Sequence, residues 1–112
     1  MVTPYIPDRG DIVWINFSPQ VGHEQASVRP ALVLSPKSYN NLSNLMLACP
    51  ITSKIKDYPF EVRIKHMKID GVILADQVKS FDWRARKISF DAKAPTTIIK
   101  QTQENIELIL KG

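Results

Sequence analysis

Residues 11–17 read Asp-Ile-Val-Trp-Ile-Asn-Phe, with apolar side chains at both odd and even positions. Successive side chains of a strand point to opposite faces of its sheet. A strand that is apolar on both faces is covered on both sides by other parts of the protein. The stretch Asp11–Phe17 therefore predicts a buried strand inside an enclosed sheet.

Two short apolar runs further along the chain predict more buried strands. They cover residues 31–34 and 45–51, and each is bounded by residues that favour loops. Residues 18–28 are predicted to form a polar loop before the first of these runs. Residues 35–44 are predicted to connect the two runs.

Other segments show the period-2 alternation of strands with one solvent-exposed face. Residues 60–65 and 88–92 place apolar side chains at every second position. Asp70-Gly71 is typical of a turn, and a further strand is predicted to start at the apolar run 72–74. Several short strands are thus predicted along the chain.

The C-terminal segment has helical periodicity instead. Pro95 is compatible with the start of a helix, and Gly112 with its end. Side chains that could face a core recur between them at helical spacing: Ile98, Ile99, Thr102, Ile106, Ile109 and Leu110. The predicted fold class is mainly β with a C-terminal α-helix, as a compact, strongly curved sheet or a small β-barrel whose open face the helix covers. The length of 112 residues predicts one domain over residues 1–112.

The overall composition is that of a globular protein, with 44% hydrophobic and 23% charged residues. The N-terminus lacks the apolar core of a signal peptide, and no stretch approaches the roughly 20 apolar residues that span a bilayer, so we expect a cytosolic protein. The net charge of +4 favours polyanionic partners. Cys49, the single cysteine, is expected to be a buried, reduced thiol.

Several classes of chemistry lack their sequence signatures. The chain has no glycine-rich nucleotide-binding loop, no HExxH and no CxxC, so we expect no cofactor. His23 and His66 are the only histidines. His23 and Glu24 together fall short of the three protein ligands that a catalytic zinc requires, so we expect no metal site.

A polar cluster lies in the loop before the second predicted strand. It consists of Gly22-His23-Glu24-Gln25 and Arg29-Pro30, and Thr52-Ser53 follows the third predicted strand. Loops held by rigid strands frequently carry functional residues. Structural interpretations also exist, because Glu24 and Arg29 could form a surface ion pair and Thr52 a turn. Basic residues near these segments could form a solvated rim or follow a phosphate backbone: Lys54, Lys56, Lys79, Arg84, Arg86 and Lys87.

The order and spacing of three motifs resemble the MazF/PemK toxin family: Gly22-His23-Glu24-Gln25, Arg29 to Pro36, and Cys49-Pro50-Ile51-Thr52. Other stretches resemble the MazF branch of that family: Tyr39-Asn40-Asn41, Tyr58 to Val62, Asp70-Gly71, Ala75 to Ser80, and Trp83 to Arg86. The resemblance extends from Pro7 to about Arg86.

This resemblance implies a homodimer of small SH3-like barrels of the Kid/CcdB type. It also implies an mRNA interferase that cuts single-stranded RNA at a short sequence, and an antitoxin whose acidic, partly disordered segment inactivates it. By position, Arg29 and Thr52 match the pair held to be catalytic in MazF members, Glu24 matches a helper, and Asp76-Gln77 match a base-contacting position. The RNA-binding set expected from these motifs and their flanks is Phe17, Gln25, Asn40, Ser53, Lys54, Lys56, Asp76, Gln77 and Lys79.

One position departs from the PemK branch of the family. Activity in that branch is assigned to a histidine, an aspartate and an arginine two residues before the aspartate. His23 and Asp76 match the first two, but Leu74 occupies the place of the arginine. The resemblance therefore favours the MazF assignment, in which Arg29 supplies the cation.

Metal-free cleavage of RNA suits these residue types, because the 2′-OH of the substrate can attack the adjacent phosphorus. The step needs a base, a cation for the phosphate oxygens and a proton donor for the leaving group. Arg29 is expected to stabilise charge, since a guanidinium remains protonated, and Thr52 to donate one hydrogen bond. The base is Glu24, with a reference pKa of about 4.3, or His23, with about 6.5. We favour Glu24, with His23 positioning substrate or protonating the leaving oxygen.

Two other functional classes fit a small barrel. One is a gyrase-poisoning toxin of the CcdB type, which does not need the Arg29 and Thr52 pair. The other is a non-catalytic single-strand-binding barrel, which would use basic grooves and stacking aromatic residues. Incubation with a long RNA distinguishes these two classes from a nuclease. Discrete fragments indicate a nuclease, and a shifted intact band indicates a binder. If the RNA is neither cut nor shifted, the gyrase poison remains.

Overall fold

The computed structural model describes residues 4–16, 28–66 and 68–112. Seven strands of this described part pair in one curved sheet: β1 (Asp11–Asn16), β2 (Val28–Val33), β3 (Leu45–Thr52), β4 (Glu61–His66), β5 (Ile69–Leu74), β6 (Lys79–Asp82) and β7 (Ser89–Lys93). The helices are α1 (Lys37–Ser43) and α2 (Thr96–Lys111), and a 3-10 turn spans Ala75–Gln77. The predicted class, mainly β with a C-terminal helix, is confirmed.

Strand β3 connects the β4–β5 pair to the other strands of the sheet. The strand order is β4-β5-β3-β2-β1-β7, with every pair antiparallel, and β6 also pairs with β3. Residues 45–48 of β3 pair with β6, residues 48–50 with β2, and residues 51–52 with β5. The C-terminal end of β3 is thus held between β2 and β5.

The central strands are buried on both faces, as the sequence of β1 predicts. Ile12 belongs to one core cluster, which α2 covers with Ile98, Ile99 and Ile106. Val13 belongs to the other cluster, on the opposite face of the strand, together with Phe81 and Trp83. Successive side chains of β1 therefore pack into two different hydrophobic cores, one on each face of the strand.

Helix α2 begins and ends where its terminal residues predict. Pro95 occupies the N-cap, and Gly112 closes the helix with φ +75° and an amide that donates to the Leu108 carbonyl at 3.1 Å. Thr102 is fully buried, and its hydroxyl donates to the Ile98 carbonyl at 2.8 Å. Ile109 and Leu110, predicted to face the core, are 43% and 78% exposed. The last turn of α2 is thus apolar and uncovered.

The prediction of a turn at Asp70-Gly71 is wrong. Both residues lie inside β5, where Asp70 pairs with Lys65 and Gly71 with Ile64 of β4. The backbone of Thr52 lies close to Gly71 instead, and an added Cβ on Gly71 would lie 2.1 Å from the Thr52 carbonyl oxygen. A glycine inside a strand commonly marks such an approach of another backbone.

Two elements go beyond the sequence-based prediction. Helix α1 lies within the predicted connection 35–44, and it ends at Asn44, which has a left-handed backbone with φ +63°. Strand β6 buries only Phe81 of its four residues, so its sequence has little strand pattern. No helix in the described part of the chain is long and apolar enough to cross a bilayer.

Candidate active site

Arg29 and Thr52 come together from two separate strands. The β2–β3 ladder pairs Ala31 with Pro50 and Leu32 with Cys49. The ladder ends at the Ala31 and Pro50 pair, so Arg29 and Thr52 lie at the same end of these two strands, each two residues beyond that pair. Both line one depression of about 240 Å³. The structure therefore brings together the two residues predicted to be catalytic.

The guanidinium of Arg29 is available to a ligand. Its side chain is exposed. Its backbone pairs with Ile15 of β1, and this pairing fixes the position of the Arg29 Cα atom. The Arg29 side chain has no hydrogen-bond or ion-pair partner among residues 4–16, 28–66 and 68–112. A guanidinium with five donors and no partner within those residues suits the oxygens of a phosphate.

The position of Thr52 is fixed from two directions. Its backbone pairs with Val72 of β5. The Lys54 amide donates to Thr52 Oγ1 at 3.2 Å. A threonine hydroxyl that accepts one hydrogen bond can still donate its own proton. Thr52 can therefore donate to a group bound beside Arg29.

A second depression, of about 400 Å³, adjoins the first at Thr52. Its lining residues come from the end of β3, the segment that follows, the start of β4, the end of β5 and the 3-10 turn after it: Thr52, Lys54, Lys56, Tyr58, Glu61, Leu74, Asp76 and Gln77. Four residues of the predicted RNA-binding set, Lys54, Lys56, Asp76 and Gln77, thus share this depression. Ser53 lines the first depression instead.

The 3-10 turn that presents Asp76 and Gln77 is anchored to the core. Ala75 is fully buried, and its carbonyl accepts a hydrogen bond from Cys49 Sγ at 3.9 Å. Burial and, secondarily, the charge of Asp76 raise the pKa of the Cys49 thiol to about 12. Cys49 is therefore the protonated, buried thiol that the sequence predicts, and Asp76 and Gln77 are exposed beside it.

The remaining basic residues of the predicted rim lie outside the two depressions. Lys79 belongs to β6, and its ammonium lies 5.1 Å from the centre of the Phe81 ring. The Arg84 guanidinium stacks over Trp83 at 4.3 Å. Arg86 donates to the Asn16 carbonyl at 2.9 Å, which joins it to the end of β1. Arg84 and Arg86 thus contribute to the packing of the fold.

The prediction that Asn40 contacts RNA is wrong. Its side chain is fully buried. Its amide nitrogen donates to the Pro7 carbonyl at 2.8 Å and the Ser35 carbonyl at 3.0 Å, and its amide oxygen accepts from Ser35 Oγ at 2.5 Å. The Trp83 indole also donates to the Asn40 backbone carbonyl at 3.1 Å. Asn40 therefore ties α1 to the N-terminal segment and the core.

Four predicted residues, Phe17, His23, Glu24 and Gln25, lie outside the described residues. In the part of the chain that is described, no group of three or more His, Cys, Asp or Glu side chains could hold a metal ion.

The structure also adds residues that sequence reasoning did not assign to the site. Trp14 lines the first depression, and its indole nitrogen donates to Asp91 Oδ2 at 2.8 Å. Tyr58 lines the second depression. Tyr58 begins the stretch Tyr58 to Val62, which resembles the MazF branch of the family, and this resemblance was the sequence signal that could have assigned it to the site. Trp14 had no such signal, because it lies within an apolar strand.

Comparison with known proteins identifies the family. The sequence model of a family described as "PemK-like, MazF-like toxin of type II toxin-antitoxin system" matches residues 8–110. The chain belongs to this family. It is similar to the endoribonuclease toxin MazF of Escherichia coli strain K12, with 55% identity over 86 residues, which cover 77% of this chain and 78% of that protein.

Solved structures of the MazF/PemK family share the fold of this chain. A crystal structure of MazF from Deinococcus radiodurans matches with a TM-score of 0.86 and 47% identity, and the match covers 97% of this chain and 100% of that one. A MazE-MazF complex from the same organism matches with a TM-score of 0.89 and 48% identity, over 96% and 98% of the two chains. The predicted family and its barrel fold are therefore confirmed.

Proposed function

We propose that this chain is the toxin of a toxin-antitoxin system and a metal-independent endoribonuclease that cuts single-stranded RNA at a short sequence. The observation that carries the proposal is the placement of exposed Arg29 and the Thr52 hydroxyl in one depression. Relatives of the same family are named endoribonucleases. Neither a gyrase poison nor a passive RNA binder requires this pair of groups.

The proposed reaction uses the nucleophile of the substrate. The 2′-oxygen forms a bond to the adjacent phosphorus as the bond from phosphorus to the 5′-oxygen breaks. A base, Glu24 or His23, takes the proton of the 2′-OH, and a protonated group delivers a proton to the departing 5′-oxygen. The products are a 2′,3′-cyclic phosphate and a 5′-OH.

Arg29 and Thr52 act on the phosphate itself. Negative charge on the non-bridging oxygens is stabilised best by donors that are already in position when the charge develops. The guanidinium of Arg29 can hold two oxygens at once. Thr52, the last residue of β3, is held by its pairing with β5 and adds one hydroxyl hydrogen bond to the same group.

The second depression binds the neighbouring nucleotide. Lys54 and Lys56 attract the phosphate backbone, and Asp76 and Gln77 offer acceptors and donors for the edge of a base. Ser53 adds a hydroxyl near the scissile phosphate, and Lys79 extends the positive rim beyond Gln77. Phe17 and Gln25 complete the proposed RNA-binding set.

A homodimer and an antitoxin are the proposed protein partners, acting in the cytoplasm where RNA substrates are found. A groove of about 430 Å³ between α2 and the sheet is lined mainly by apolar side chains, among them Leu47 and Leu110. Exposed apolar surface of this kind supports a protein interface. The antitoxin would inactivate the enzyme by laying an acidic segment over Lys54, Lys56 and Arg29.

The test is incubation with a long RNA in EDTA. We expect discrete fragments with a 2′,3′-cyclic phosphate, or its 3′-phosphate hydrolysis product, and a 5′-OH. A matched RNA with one 2′-deoxy residue at the mapped cut site should remain intact. Cleavage of the deoxy substrate, dependence on added metal, or an intact but shifted RNA band would reject the proposal.

A further inference from the structure

Tyr58 is an exposed aromatic residue within the second depression, beside groups that the proposed reaction uses. It lines this depression together with Lys54, Lys56 and Gln77. Its side chain is 49% exposed. The ring therefore offers apolar surface to whatever occupies the depression.

The ring is held in place by its neighbours. It lies 6.0 Å from the Phe60 ring at an interplanar angle of 63°, so the two rings meet edge to face and the contact leaves Tyr58 ring surface open. The Glu61 amide donates to the Tyr58 carbonyl at 3.0 Å. The Glu61 carboxylate in turn accepts from the Lys56 amide at 3.3 Å. These contacts close the segment around Tyr58, so little ordering is needed on binding.

The surroundings of the ring match the chemistry of one unpaired nucleotide. Single-stranded nucleic acids bind by stacking their bases on aromatic rings while cationic side chains follow the phosphates. Lys54 and Lys56 supply the cations, and Gln77 supplies an amide for the edge of a base. The depression meets the Arg29 and Thr52 site at Thr52, so its nucleotide adjoins the scissile phosphate.

We propose that Tyr58 is the stacking platform for the unpaired base next to the cleaved bond. This inference rests on the proposed function, since it needs RNA at the Arg29 and Thr52 site. Stacking is sequence-tolerant because every base has an aromatic face. Tyr58 therefore contributes affinity for any base, while hydrogen bonds from Gln77 contribute the preference among bases.

The test measures binding of a short RNA that contains the mapped cut site, a 2′-deoxy residue that blocks cleavage, and 2-aminopurine beside the cut. Stacking quenches 2-aminopurine fluorescence. Tyr58→Ala should weaken binding roughly 5- to 100-fold and abolish the quench. Tyr58→Phe and Tyr58→Trp should retain both. Tyr39→Ala is the matched control, because Tyr39 is 41% exposed on α1 and lines neither depression.

Each other outcome overturns the inference. Wild-type affinity and quenching in Tyr58→Ala would show that the ring does not stack a base. A loss in Tyr58→Phe as large as in Tyr58→Ala would assign the role to the hydroxyl. If the wild type cuts RNA while Tyr58→Ala binds normally, this inference fails and the proposed function stands. If the wild type neither cuts nor binds RNA, both fail.

Discussion

The backbone of Gly71 lies against Thr52, so that a Cβ on Gly71 would stand 2.1 Å from the Thr52 carbonyl oxygen and 2.8 Å from its carbonyl carbon. Both contacts are with backbone, which cannot rotate away as a side chain can. Thr52 is the last residue of β3 and pairs with Val72, the neighbour of Gly71. The identity of residue 71 therefore determines how closely β5 holds Thr52.

Gly71→Ala should displace Thr52 relative to Arg29. We expect a loss of about 1–3 kcal/mol in the free energy of unfolding, as for other overpacked sites, and a fall in RNA cleavage larger than the fall in folded fraction. Chemical denaturation and cleavage rates measure the two effects. Gly112→Ala is the control for a strained glycine that touches nothing, since its φ is +75° but no atom lies within 4 Å of a Cβ there, and it should keep full activity. Full activity in Gly71→Ala would show that the fit between β5 and Thr52 is unimportant for cleavage.

Arg29→Ala should remove nearly all RNA cleavage, and Arg29→Lys most of it, because a point charge cannot reproduce bidentate contact with a phosphate. The guanidinium has no partner among the described residues, so both variants should fold with almost unchanged stability. Single-turnover rates with a short RNA measure the effect, and Lys100→Ala on α2 serves as a charge control. More than about a tenth of the wild-type rate in Arg29→Ala, a loss under 1.4 kcal/mol, would contradict this role.

The two candidate bases can be separated by pH profiles of the single-turnover rate between about pH 5 and 9. We expect Glu24→Gln to lose most of the activity and His23→Ala to retain part of it. A working carboxylate needs a pKa raised by burial or by the substrate phosphate, so the wild-type profile should rise with pH through that value. If His23→Ala abolishes the reaction and removes an inflection near neutrality while Glu24→Gln barely slows it, the roles are reversed.

Asn40→Ala should destabilise the fold without a specific effect on RNA. The substitution leaves the buried carbonyls of Pro7 and Ser35 and the hydroxyl of Ser35 without their Asn40 partner, which costs at least about 3 kcal/mol at 1–3 kcal/mol for each group. Chemical denaturation measures the loss. The exposed neighbour provides the control, because Asn41→Ala should change stability by less than about 0.5 kcal/mol. An Asn40→Ala protein of normal stability that binds RNA poorly would restore the RNA contact predicted from the sequence.

Local patterns were sufficient for the elements whose periodicity reflects burial. β1 is apolar at consecutive positions because it separates two cores, and α2 repeats its apolar residues because one side packs on the sheet. Helix α1 was not predicted, because it is seven residues long and buries only Asn40, so its sequence shows no periodic apolar pattern. The pattern at Asp70-Gly71 misled for a related reason. A glycine required by a distant backbone looks the same in sequence as a glycine required by a turn.

The sequence by itself determined the fold class, both ends of α2, the buried state of Cys49 and, through its motifs, the family and the residues of the proposed reaction. Those properties depend on side-chain periodicity and on short motifs that are local in the chain. Only the tertiary structure decided that Arg29 and Thr52 share a depression, that Tyr58 joins Gln77 beside them, and that Asn40 is enclosed. These relationships depend on strand register and on contacts between segments far apart in sequence, such as Gly71 against Thr52, and no local pattern encodes them.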